Sequence, residues 1–80
     1  MKLTLLNKTQ QRIFDKLDLS GGEATVQNPF TGVKVELDAQ GVALYDFIKG
    51  CEIVGNYKDF DQARYLFAKL YPDAYTKLID

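Results

Sequence analysis

Histidine is absent from the 80-residue sequence, and cysteine occurs once, at Cys51. Without histidine the chain has no Ser-His-Asp or Cys-His catalytic group and no metal site with a histidine ligand. A single cysteine forms neither an internal disulfide nor a zinc or iron–sulfur site, and a reducing, cytoplasmic setting is the default for such a chain. We predict that Cys51 is an inert, buried hydrophobic residue.

Long apolar runs and nucleotide-binding motifs are also missing. No run of about 18 apolar residues is present, so no membrane span is predicted, and the apolar start is too short for a signal peptide. No phosphate-loop lysine follows the glycine pair Gly21–Gly22. The best acidic pair, Asp59 and Asp61, fails the spacing of a calcium loop, because the closing position would be Leu70. We therefore predict no cofactor, no metal and no enzyme activity.

The charge balance gives little support to a nucleic-acid partner. The net charge is −1, which provides no general attraction to phosphate. A basic row in the first predicted helix, Lys8, Arg12 and Lys16, is the one candidate for phosphate contact, and Asp15 and Asp18 dilute it. A weak nucleic-acid-binding module is therefore the least favoured hypothesis.

What the chain does contain is typical of a small folded protein. Hydrophobic residues make up 46% and charged residues 26%, near the globular average. Its length corresponds to a single domain over residues 1–80. Such a short chain buries only about 60% of the surface that its unfolded form exposes, so its stability margin is small.

The stretch ATVQNPFTGVKVEL, residues 24–37, predicts a β-hairpin. A loop of Pro29 to Gly32 pairs Asn28 with Val33, and this register gives the hairpin one apolar and one polar face. Because a shift of one residue would destroy this separation, the pattern and the loop length support each other. An isolated hairpin is not stable in water, so the apolar face must pack on helices. Phe30, at the tip of the loop, is predicted to be exposed.

The N-terminal part predicts one helix. Asn7 with Gln10 is typical of a capping box, and Ser20–Gly22 is predicted to end the helix. Residues 2–6 alternate in hydrophobicity and are a candidate for a third, short strand.

Two or three helices are predicted after the hairpin. Asp38 is expected to cap the first of them and Gly55–Asn56 to end it. Asp59, with a glutamine three residues later, resembles a capping box for a helix over residues 60–71. Pro72 is expected to open a last short helix. The predicted fold class is therefore α+β, a hairpin on two or three C-terminal helices with one N-terminal helix beside them.

Helical periodicity divides the first helix after the hairpin into two faces. The predicted core face comprises Leu44, Phe47, Ile48, Cys51 and Val54. The predicted outer face comprises Val42, Tyr45, Asp46, Lys49, Glu52 and Ile53. The apolar residues Val42 and Ile53 are unexpected on an outer face. The N-terminal helix, a second copy of the chain or a foreign partner are the alternatives for what covers them.

Exposed tyrosines point to protein contact. Tyr45 and Tyr65 fall on helix faces predicted to be exposed, and Tyr57 falls in a predicted connecting loop. Exposed tyrosine beside apolar and charged groups resembles an interface anchor, whereas half-buried rings at the edge of the core are the structural alternative. We predict a protein-binding surface made of Tyr45, Lys49, Glu52, Ile53, Tyr57 and Tyr65, with Phe30 as a further candidate.

Three segments, NPFTGVKVELD, LYDFIKGCEIVGNY and FAKLYPDAYTKLID, resemble a group of small, mostly uncharacterised proteins of tailed bacteriophages. The resemblance covers about residues 28–80, so it implies a core over residues 23–80 and an N-terminal addition over residues 1–22. It brings no catalytic residues. It implies a phage-encoded protein in the cytoplasm of the infected bacterium that binds a host protein and inhibits or redirects it, defence systems included.

Three functional hypotheses follow. The leading one is a non-catalytic binding protein with a bacterial host protein as partner. The alternative is a self-associating structural or accessory phage protein, a homodimer whose N-terminal helix pairs with a second copy. The nucleic-acid-binding module described above is the third, and no membrane association is predicted.

Overall fold

The computed structural model describes residues 6–79, and within them the chain folds as one two-stranded antiparallel hairpin and four helices. The elements, in chain order, are α1 (Lys8–Asp15), β1 (Ala24–Gln27), β2 (Lys34–Leu37), α2 (Ala39–Val54), α3 (Tyr57–Leu70) and α4 (Pro72–Leu78). The predicted α+β class is confirmed. The candidate third strand over residues 2–6 lies outside the described residues, except for Leu6, which forms a bend.

The hairpin has the predicted register. Val26 pairs with Val35, and Ala24 pairs with Leu37. The amide of Asn28 donates to the carbonyl of Val33 at 2.8 Å and closes the four-residue loop. Leu37 is buried, and the two central valines are half-buried against the helices. The hairpin is therefore a scaffold whose apolar face belongs to the core.

Helix α3 is the central element, because α1, α2 and α4 all pack against it. The hairpin lies against α2, and β2 also contacts α4. A single hydrophobic core joins these layers, and its buried members are Ile13, Leu37, Leu44, Tyr45, Ile48, Ala63, Leu66, Phe67, Ala74 and Leu78. Ile13 of α1 is completely buried in this core.

Helix α2 is rotated relative to the face that its hydrophobic pattern predicts. Tyr45, predicted to be exposed, has only 7% of its surface accessible, and its ring lies 6.4 Å from that of Phe67. Val54, predicted to be buried, is 76% exposed. The cause lies one turn before Tyr45, at Gly41, where a Cβ atom would come within 3.2 Å of Tyr71. A glycine permits this close approach but adds nothing to a hydrophobic pattern. The hydrophobic pattern of α2 therefore does not predict that Gly41 lies on its inner face.

Helix α3 begins three residues before its predicted start. Its N-cap is Asn56, whose side chain accepts a hydrogen bond from the amide of Asp59. The prediction that Asp59 caps the helix is therefore wrong, and Tyr57 is the first residue of α3 and not part of a loop. Gly55 ends α2 as predicted, with a φ of 77°, a conformation that glycine adopts at little cost.

Helix α1 ends at Asp15, earlier than the Ser20–Gly22 stop that was predicted. The amide of Lys16 already bonds to the carbonyl of Ile13, three residues back, which tightens the last turn. Asp18 then accepts a hydrogen bond from the amide of Ser20. This local side-chain bond competes with further helix, so the chain turns before it reaches the glycines. The capping box of Asn7 and Gln10 is confirmed at the other end.

Candidate protein-binding site

The loop between β1 and β2 presents Phe30 on a backbone that has little freedom. The side-chain oxygen of Asn28 accepts hydrogen bonds from the amides of Phe30 at 2.8 Å and Thr31 at 3.3 Å. The amide of Gly32 donates to the Asn28 carbonyl, and that of Val33 to the Thr31 hydroxyl. Each amide in the loop thus has an acceptor, and none points outward to hold a phosphate. Phe30 itself is 92% exposed.

Asn28 also ties this loop to the end of α4. Its side-chain nitrogen donates to the carbonyl of Lys77 at 2.9 Å, and the residue is buried. One side chain therefore satisfies the loop amides and a carbonyl in the last turn of α4. This double role fixes the position of Phe30 relative to the helices.

Beside Phe30 lies a groove of about 300 Å³, which we call the tip groove. Residues from the hairpin loop, the C-terminal half of α2, the start of α3 and the end of α4 line it: Asn28, Phe30, Thr31, Ile48, Lys49, Glu52, Phe60, Leu78 and Ile79. Its floor is apolar, and its charged groups come from α2. An apolar groove with a few polar groups is the usual form of a binding site.

The charged side of the tip groove consists of Lys49 and Glu52. Their side chains form a long ion pair, with 3.8 Å between the Lys49 nitrogen and a Glu52 oxygen. The Lys49 ammonium group also lies 5.5 Å from the centre of the Tyr45 ring. A long, solvated pair of this kind contributes little to stability, so both charges remain available to another molecule.

Exposed apolar residues continue from the groove onto the α2–α3 turn. Ile53 is 83% exposed and Tyr57 is 63% exposed, and together with Val54 they form what we call the corner patch. Tyr57 packs edge-on against Phe60 of the groove, with 6.3 Å between the ring centres. Glu52 of the groove directly precedes Ile53 in α2. Large apolar side chains that remain exposed together on a small protein often mark a site of interaction.

Comparison of the chain with protein-family models, curated proteins and solved structures finds no significant match.

The structure distributes the seven predicted binding residues unequally. Phe30, Lys49 and Glu52 line the tip groove, and Ile53 and Tyr57 lie in the adjoining corner patch. Tyr45 is buried below Lys49 and supports the surface from inside, so its prediction as an exposed contact residue is wrong. Tyr65 is exposed but is absent from the groove lining, and its ring stacks with the guanidinium of Arg64 at 5.4 Å.

Six residues of the groove were not predicted as contact residues: Asn28, Thr31, Ile48, Phe60, Leu78 and Ile79. Phe60 and Ile79 pack against the core, and both are half-buried and line the groove with one side exposed. Asn28 was expected only to flank the loop. The local sequence gives one signal for the role of Asn28 in fixing the loop. Asparagine side chains in turns readily accept hydrogen bonds from amides two residues later, and Phe30 lies two residues after Asn28.

The basic row on α1 is partly neutralised. Arg12 donates to Asp59 of α3 at 2.8 Å. Lys16 lines a separate cleft of about 450 Å³ between the segment after α1 and α2, together with Asp18 and Asp46. Val42, half-buried, lines this cleft too, so residues that follow α1 lie beside it. Acidic groups thus accompany the basic ones on this side of the molecule.

Cys51 lies buried on the inner side of α2. Burial raises the pKa of its thiol, and the nearby negative charge of Asp59 raises it further. The thiol is therefore protonated at neutral pH, which is the opposite of what a nucleophile needs. Among residues 6–79 no cluster of three or more Cys, Asp and Glu side chains is arranged to hold a metal ion. No helix in the same span is long and apolar enough to cross a membrane.

Proposed function

We propose that the protein is a non-catalytic binding protein whose contact surface consists of the tip groove and the corner patch. The observation that carries this proposal is Phe30, a large apolar side chain that is 92% exposed on a hydrogen-bonded loop next to an apolar groove. Because the loop backbone that carries Phe30 is held by hydrogen bonds before binding, it loses little conformational freedom on association. Aromatic anchors surrounded by weaker contacts commonly dominate the affinity of an interface.

The resemblance of residues 28–80 to small bacteriophage proteins supports a bacterial host protein as the partner. In this proposal the protein acts in the cytoplasm of the infected bacterium and inhibits or redirects that host protein, a component of a defence system among the candidates. The complete lack of histidine supports binding over catalysis. A protein of this kind works by occupying a surface of its target, so rigidity of the contact surface matters more than any reactive group.

The test uses the full chain as bait in a bacterial lysate, followed by identification of captured proteins and measurement of Kd with each purified candidate. Phe30→Ala should weaken binding about tenfold or more, because it removes the central anchor. Leu19→Ala is the matched control, since Leu19 is also an exposed apolar residue but is absent from the groove. Equal affinity of the parent chain and the Phe30→Ala variant for every purified partner would refute the proposed surface.

A further inference from the structure

The tip groove contains two pairs of complementary features: the protruding Phe30 ring with an apolar hollow, and the positive Lys49 with the negative Glu52. Phe30 protrudes beside an apolar hollow that its own side chain does not fill, since its ring remains exposed. Lys49 and Glu52, of opposite charge, lie at the same groove. A symmetric dimer needs such a surface, because every group on it must meet its complement on an identical copy.

We infer that a second copy of this chain occupies the tip groove, and that the two copies form a symmetric dimer. In this dimer Phe30 of each copy enters the groove of the other. Lys49 of each copy meets Glu52 of its partner, and both crossed contacts are attractive. The inference concerns the surface on which the proposed function rests and adds regulation to it, because a second copy and a foreign partner would compete for that surface.

Charge complementarity favours a second copy. The Lys49–Glu52 pair within one chain is long, at 3.8 Å, and exchange of partners across a two-fold axis gives each charge a second neighbour of opposite sign. The net charge of each copy is only −1, so repulsion between whole molecules is small. The corner patch extends the contact next to the groove and excludes water around the ion pairs.

The inferred contact differs from pairing through the N-terminal helix. Ile13 of α1 is already completely buried inside its own chain, and Phe14 packs against the same core, so the apolar residues of that helix are engaged within one chain. The total accessible surface is 5247 Å², and a stable interface covers about 800 Å² per partner. The nine residues that line the groove and the three of the corner patch are fewer than the roughly 20–30 residues per side of a stable interface, so the dimer should be reversible and depend on concentration.

The test is sedimentation equilibrium of the full chain at concentrations up to about 1 mM. The parent chain should associate to a dimer, and Phe30→Ala should weaken association at least tenfold. Lys49→Glu and Glu52→Lys should each weaken it, because like charges then meet across the interface. An equimolar mixture of these two variants should associate again, since one now carries two acidic groups and the other two basic groups. Leu19→Ala should behave as the parent chain does.

Three results would overturn the inference, provided that circular dichroism shows the variants to be folded. They are a strict monomer at about 1 mM, association that is insensitive to Phe30→Ala, and no gain on mixing the two charge variants. These results are distinguishable from failure of the proposed function. A monomer that binds a purified partner through Phe30 refutes the dimer only, and a dimer with no Phe30-dependent partner refutes the function only.

Discussion

Tyr71 connects the junction of α3 and α4 to the start of α2. Its hydroxyl donates to the carboxylate of Asp38 at 2.7 Å and accepts from the side-chain amide of Gln40 at 3.0 Å. Burial raises the pKa of Tyr71, and the Asp38 carboxylate raises it further, whereas the bond from Gln40 acts in the opposite direction. Folding therefore favours the neutral hydroxyl. Asp38 also caps α2. The hydroxyl of Tyr71 therefore connects the start of α2 to the junction of α3 and α4.

This arrangement predicts a loss of stability in alkali. An unfolded tyrosine releases its proton near pH 10, and Tyr71 in the folded chain releases it at higher pH. The stability from this difference is complete below about pH 10 and declines as the pH rises above it. Tyr71→Phe should lower the free energy of unfolding at pH 7 by about 1–2 kcal/mol and make the alkaline decline shallower. Urea denaturation at several pH values measures both effects.

Tyr65→Phe is the matched control for Tyr71→Phe, because it removes a tyrosine hydroxyl that has no contact with Asp38. Lysine side chains also titrate in alkali, but they are common to all three proteins and cancel in the comparison. An alkaline decline that is equally steep in the parent chain and in Tyr71→Phe would exclude this role for Tyr71.

At the scale of single elements, the start of α3 illustrates how tertiary contacts decide between two local signals. The sequence predicts Asp59 as the cap, with Gln62 three residues later, whereas the cap in the structure is Asn56, with Asp59 three residues later. In the structure Asp59 binds Arg12, and Gln62 accepts a hydrogen bond from Asn7. Both residues of the predicted capping box therefore hold α1 in place, and Asn56 caps the helix. A sequence taken alone does not reveal which residues a distant helix will engage.

Replacement of the cap gives a direct test at this scale. Asn56→Ala should lower the free energy of unfolding by about 1 kcal/mol, and Asn56→Ser, which keeps an acceptor, should lower it by less. The amide of Asp59, which donates to Asn56 at 3.3 Å, should exchange faster with solvent in the alanine variant, as measured by NMR. No change in stability and exchange would place the start of α3 elsewhere.

At the scale of the whole molecule, the parts predicted correctly are those decided by neighbours in sequence. The hairpin register, the Asp38 cap and the Pro72 helix start all depend on residues a few positions apart. The tip groove was not predictable in this way, because it brings together residues 28–31, 48–52, 60 and 78–79. No local pattern encodes their proximity. The rotation of α2 about Gly41 likewise depends on Tyr71, thirty residues later in the chain.

The packing of α1 has a consequence for the whole fold. Ile13 is completely buried among residues of the common core, so Ile13→Ala should lower the free energy of unfolding by about 2–5 kcal/mol. Ile53→Ala makes the same substitution at an exposed site and should change the free energy of unfolding by about 0.5 kcal/mol or less. Urea denaturation of both variants makes the comparison. A small effect at Ile13 would mean that α1 contributes little to the stability of the rest.

Because the chain has a single, buried thiol, the rate at which that thiol is labelled measures local opening of the folded protein. Cys51 is the one cysteine in the sequence, and in the folded protein it is shielded and protonated. A thiol reagent can reach it only in molecules in which this part of α2 has moved away from its neighbours. The labelling rate, divided by that of the denatured chain, therefore gives the equilibrium constant for that opening event, with no introduced probe and at a site next to the proposed binding surface.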